Sequence, residues 1–167
     1  MARPYLRFPD PRLRAVAERV EEVDGAVRAI WDEMLEAMYA MPGVGLAAPQ
    51  IGIGLRLAVA DASATKDQPV RLANPEIVRL SEETRTGPEG SPNLPGLFEQ
   101  VTRPAEVEVR FLDELGVATQ RTFTGLWATS VQHQIDHLEG RLFFDRLSPL
   151  RRRRLLARAR KLRRDGS

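Results

Sequence analysis

Two histidines, His133 and His137, stand four residues apart in the stretch His133-Gln134-Ile135-Asp136-His137. On a helix that spacing places both imidazoles on one face, where they can reach a single metal ion. In the H-E-x-x-H arrangement the residue after the first histidine is a glutamate that takes a proton from metal-activated water; here that residue is Gln134, an amide. These are the only two histidines in the chain, and they lie in a stretch rich in apolar residues. A metal-facing pair is therefore favoured over a coincidence of surface or core histidines. The chain has no cysteine, so a disulfide framework, a thiolate metal site and a thiol nucleophile are excluded. Two further stretches are dense in glycine and proline. Gly43 to Gln50 reads Gly-Val-Gly-Leu-Ala-Ala-Pro-Gln; its glycines permit close backbone approach to a ligand, and the Gln50 amide can donate to an oxyanion. Gly87 to Gly96 carries Glu89 and Ser91 in a run of turn formers. Taken alone, the first is a helix stop followed by a loop and the second is a loop.

The elements that would hold these residues follow from periodicity. Val27, Ile30, Trp31, Met34, Leu35 and Met38 recur at intervals of three and four, which predicts an amphipathic helix over 25–41 with Asp24 as its N-cap and Pro42-Gly43 as its stop. Short strands are expected at 55–60, at 70–73 and 77–80 on either side of Asn74-Pro75, at 107–111, and at 121–124. Asp113 to Gly116 forms the turn of the last pair. A second helix spans 126–138, ended by Gly140, and a last one runs from about Pro149 to Arg164. Phe8-Pro9-Asp10-Pro11 is a stiff turn. One long helix, several antiparallel strands and a buried helix make an α+β domain, with antiparallel or mixed small sheets around the helix that bears His133 and His137. Asp136 either orients a neighbouring group or is a plain helix-surface carboxylate.

The 167 residues suffice for one core, read as a single domain over 1–167. No apolar run approaches the roughly 20 residues of a membrane helix, and no apolar segment follows the first arginines as a signal peptide would need. The expectation is a cytoplasmic protein without a membrane partner. The net charge of +2 conceals an asymmetry: residues 1–140 carry 14 Lys and Arg against 21 Asp and Glu, a net −7, whereas residues 141–167 carry 11 against 2, a net +9. A basic tail on an acidic body suits contact with a polyanion, although a solvated Arg-rich helix has the same composition.

In order and spacing, the three stretches resemble the peptide deformylase family. Its first motif, G-x-G-L-A-A-P-Q, is matched in full by Gly43 to Gln50; Glu89-Gly90 opens its second, E-G-C-L-S; and His133 to His137 carries its third with one change. Flanking text agrees along nearly the whole chain, including Leu72-Ala73-Asn74-Pro75, Arg103-Pro104 and Leu142 to Leu147. The resemblance implies a peptide deformylase-like α+β fold and removal of formyl from the N-terminal Met of new polypeptides. It implies a divalent metal, Fe2+ or Zn2+, held by His133, His137 and the residue at the family's Cys position. Gln50 and the backbone N–H after that Cys position would polarise the formyl oxygen. Val44, Gly45 and Glu89 would line or support the substrate groove. The basic C-terminal helix would contact ribosomal RNA.

Three departures fall on that chemistry. The Cys position is Ser91, a neutral hydroxyl in place of a soft thiolate. The Glu position is Gln134, and general acid–base help is worth roughly 10²–10⁴-fold. The next residue after Ser91 is Pro92, which has no N–H; one oxyanion donor is worth about 10²–10³-fold. Asn93 also replaces the family's Ser. On these residues the expectation is a catalytically impaired or inactive homologue, with no metal or a weakly bound one, that retains peptide or ribosome binding. The alternative is an active metal-dependent hydrolase with an altered metal site that uses Ser91 or Glu89 as third ligand.

Overall fold

In the computed structural model, which describes residues 3–166, three α-helices enclose two antiparallel sheets. The first helix, α1 (Gly25–Ala40), begins at Asp24, whose carboxylate accepts the Val27 N–H at 2.9 Å. Its apolar stripe of Val27, Trp31, Met34, Leu35 and Met38 packs on Leu46, Leu57 and Val59, which belong to β1 (Gly45–Ala47) and β2 (Leu57–Ala60). These strands join β3 (Val70–Leu80), β6 (Glu106–Leu112) and β7 (Ala118–Thr124) in one sheet of order β1-β2-β3-β6-β7. The strands β4 (Thr84–Gly90) and β5 (Phe98–Pro104) form a separate two-stranded ribbon. The second helix, α2 (Gly125–Leu138), packs Ala128, Val131 and Ile135 on the large sheet. The last, α3 (Pro149–Gly166), seats Leu155 and Ala159 against Leu94, Leu97 and Phe143. The α+β architecture expected from the sequence is the one observed, and among the described residues no helix is long and apolar enough to cross a membrane.

Three local expectations change. The strand expected to break at Asn74-Pro75 is continuous. Its ladder shifts register between Ala73 and Glu76, which accommodates a proline without an N–H, and Asn74 takes φ 50°, a conformation asparagine tolerates. The Asn74 amide is used twice, accepting the Val20 N–H and donating to the Val20 carbonyl, both at 2.8 Å. The stretch from Gly87 to Gly96 is not all loop, because its first half is the end of β4. Pro88 fits there because β4 has a partner on one edge only. Gly43 to Gln50 is likewise more than a loop: it supplies β1 and the 3₁₀ turn Ala48–Ile51.

Candidate active site

The helix α2 buries an unusual share of polar side chains: Ser130, Gln132, His133, Gln134, Asp136 and His137 are all inside. A buried polar group without a partner costs about 1–3 kcal/mol, so the helix must be met by complementary groups. Ser130 donates to the Val44 carbonyl at 2.8 Å, and Gln132 donates to the carbonyls of Pro104 and Ala128 at 2.9 and 3.0 Å. Asp136 accepts from Arg103 at 2.9 Å and from Arg146 at 2.7 Å. It is therefore an orienting carboxylate, not a surface one. Among the described residues three buried side-chain polar atoms lack a partner, and two of them, Gln134 Oε1 and His137 Nδ1, belong to α2. Orphaned atoms of this kind concentrate where a ligand or water is meant to bind.

The charged groups beneath the histidines form a chain. Arg103, 1% exposed, grips both carboxylate oxygens of Glu89, at 2.7 and 2.9 Å, and holds Asp136 with its remaining nitrogen. Burial pushes the Glu89 carboxyl up, but hydrogen bonds from His133 and Arg103 and the Arg103 charge outweigh it and hold it at about 2. Glu89 is therefore a carboxylate, and the 2.9 Å contact between Glu89 Oε1 and His133 Nδ1 puts the shared hydrogen on Nδ1. The other ring nitrogen, Nε2, faces His137 Nε2 at 3.1 Å. Burial holds the His137 imidazole well below its usual range, and the charges of Arg103 and Arg14 act the same way, so it stays neutral. Two imidazole nitrogens thus converge on one point, as the donor set of a divalent cation requires. Among the described residues no cluster of three His, Cys, Asp or Glu completes such a set; the resemblance puts Ser91 at the third position, and its hydroxyl is engaged with Gln50 and Asn93. The two convergent nitrogens fit a divalent cation.

These groups sit at the wall of a cleft of about 540 Å³. Val44, Gly45, Gln50, Glu89, Ser91, His133 and Gln134 all line it, with Pro92 beside them; His137 lies just behind, 1% exposed. The structure thus brings together every site residue expected from the sequence. Gln50 is fixed from both ends. Its Oε1 accepts the Ala47 N–H at 2.9 Å, while Nε2 donates to Asn93 Oδ1 at 2.8 Å and to Ser91 Oγ at 3.3 Å. Ser91 in turn donates to Asn93 Oδ1 at 2.9 Å. Gly45 is required by its neighbours, since a Cβ there would lie 2.4 Å from Ser130 Oγ and 2.5 Å from Gln134 Nε2.

The polypeptide deformylase family model matches residues 2–153. The chain belongs to the polypeptide deformylase family. A peptide deformylase of Cellvibrio japonicus is 44% identical over 98% of this chain and 96% of its own length. That of Azotobacter vinelandii is 46% identical over 90% and 89%. Among solved structures, a peptide deformylase from Legionella pneumophila superposes with a TM-score of 0.90 at 40% identity, covering 99% of this chain and 98% of its own. The Ehrlichia chaffeensis enzyme in complex with actinonin gives 0.89 at 34% identity, over 96% of both.

These relatives overturn the expectation of a catalytically impaired chain, and they give no support to a degenerate site or a lost metal. Full-length proteins this similar carry the peptide deformylase name, which supports an active enzyme. The expectation weighed three residue types one by one, without the arrangement around them: a converged imidazole pair, an ionised Glu89 and a formed cleft. Sequence reasoning also missed the parts played by Arg103 and Arg146. The signal for Arg103 was present, because it shares the inward phase of β5 with buried Val101, where a charged residue needs a partner.

Proposed function

We propose that this chain is an active, metal-assisted amide hydrolase that removes the formyl group from the N-terminal Met of peptides, with an altered metal site. The observation that carries the reading is the meeting of His133 Nε2 and His137 Nε2 at 3.1 Å behind a cleft able to take an extended chain. It is supported by the peptide deformylase relatives of nearly equal length. His133, His137 and Ser91 would hold the divalent ion, Fe2+ or Zn2+ as in the family. When bound, such an ion supplies Lewis-acid polarisation of the formyl oxygen and acidifies water.

The chain's own residues do the rest. Glu89, held ionised by Arg103, keeps the hydrogen of His133 on Nδ1 and so keeps Nε2 free to donate its lone pair. Gln134 Oε1, buried and without a partner, accepts a hydrogen bond from an N–H or O–H in the cleft and orients it. Gln50 lines the same cleft, its amide fixed by Ala47 and Asn93, and its longer 3.3 Å contact to Ser91 is the one an incoming oxygen would displace. Val44 and Gly45 leave room for a peptide main chain. The test is a metal analysis and a formate-release assay on one sample purified without chelator. The expected result is about one divalent ion per chain and formate released from a formyl-Met peptide. No formate from samples loaded with Fe2+, Zn2+ or other divalent ions would overturn the reading.

The basic tail supports a ribosomal partner. Arg153, Arg154, Arg160, Lys161 and Arg163 are exposed and make no ion pair among the described residues. At 100° per residue Arg153, Arg154, Arg160 and Lys161 occupy the half of α3 turned away from Leu155 and Ala159, while Arg163 lies on the side of Ala159. A row of unneutralised cations suits the phosphates of ribosomal RNA.

A further inference from the structure

Arg85 takes no part in the chemistry above, yet it is hydrogen-bonded to Thr129, a residue that lines the cleft. It lies on β4 in phase with Gly87 and Glu89, so all three face α2. Its Nη1 donates to Thr129 Oγ1 at 2.8 Å, and Thr129, one turn before His133, lines the cleft with Leu126. The guanidinium lies over Gly87, where an added Cβ would come within 3.7 Å of Nη1. It is half-buried, and no carboxylate of the described residues pairs with it; Thr129 is a neutral partner. Its nearest charged counterpart on the same strand face, Glu89, is already saturated by Arg103 and His133. Burying part of a guanidinium without an anion is costly, and five donors in a planar fork suit a carboxylate.

Among the described residues, the edge of β4 away from β5 carries no strand. A peptide entering the cleft along Pro88, Glu89 and Gly90 meets that free edge, and an extended chain is able to add to it by main-chain hydrogen bonds. At about 3.3 Å per residue, the distance along β4 from Glu89 to Arg85 corresponds to the first few residues after the formylated one. We infer that Arg85 is a specificity residue that selects peptides with an acidic side chain at the second or third position. The inference rests on the reading that the cleft takes a peptide N-terminus, but not on turnover.

The test therefore reads binding, by fluorescence anisotropy, for labelled Met-Ala-Glu, Met-Glu-Ala, Met-Ala-Lys and Met-Lys-Ala peptides, formylated and free. Wild type is expected to favour the acidic peptide at one of the two positions by about three- to tenfold, the scale of a partly exposed charge-assisted hydrogen bond. Arg85→Gln is expected to abolish the preference, and Arg85→Glu to reverse it towards lysine. Circular dichroism would confirm that each variant is folded, and Arg85→Lys, which keeps the charge, is expected to retain part of the preference. Equal binding of acidic and basic peptides by the wild type would overturn the proposal, as would a preference that survives Arg85→Gln. A formate-release assay run in parallel separates the two readings: acid-selective binding without formate leaves the Arg85 assignment standing and sinks the hydrolase.

Discussion

At the scale of single residues, the site turns on what one atom can donate. Ser91 offers an oxygen where the family offers sulfur, and its hydroxyl donates to Asn93 Oδ1. A hydroxyl that keeps its proton binds a divalent ion through a dipole, whereas a thiolate binds through a full charge. Ser91→Cys is accordingly expected to slow loss of the metal to a chelator by at least about tenfold, since even changes to groups behind a ligand shift metal affinity 10–100-fold. The half-time of metal release in excess chelator checks this, and an unchanged half-time would mean that residue 91 is not a ligand. Gln134 shows the same economy of atoms. Its carbonyl oxygen can accept a hydrogen bond, its amide cannot carry a proton, and Gly45 leaves the space in which that amide sits.

At the scale of elements, the β4–β5 ribbon matters because it is fastened to α2 from within. Arg103 of β5 clamps Glu89 of β4 and Asp136 of α2 together. Removing one partner from a buried pair leaves uncompensated charge, at a cost of about 3–5 kcal/mol. Arg103→Met is expected to lower the unfolding free energy by that amount, measured by urea titration, and to loosen His133, whose Nδ1 leans on Glu89. The helices α1 and α2 were legible in the sequence because their stripes recur at helical spacing, and so was the β6–β7 hairpin because Val107, Val109 and Phe111 alternate. The ribbon was not. Pro88 and the neighbouring glycines erase strand propensity, and what holds β4 in place is a buried guanidinium 14 residues beyond Glu89, on the partner strand, which no local pattern displays. The histidine pair and the Gln50 stretch were legible because each is written in consecutive residues. Whether those parts act together depends on contacts between β4, β5 and α2, and residue types at isolated positions do not report them.

At the scale of the whole molecule, charge is sorted by face. Body and tail differ in sign, and α3 is itself divided. Arg151 and Arg158 turn inward to Glu99, at 2.9 and 2.6 Å, and Arg152 turns to Asp145, while the opposite half keeps its cations in solvent. Neutralising phosphates with that half releases counterions, so ribosome co-sedimentation of the intact protein is expected to fall steeply between 50 and 200 mM salt. Replacing Arg153, Arg154 and Arg160 with Gln is expected to flatten that slope while leaving formate release unchanged. An unaltered slope would assign the cations to solubility alone. The inward pairing has a mechanical side. Glu99 lies directly across the ribbon from Glu89, so α3 and the cleft are bolted to opposite strands of one short lever. A surface that grips the outer face of α3 fixes the bearing of the cleft mouth, much as a bracket sets the angle of the lamp it carries.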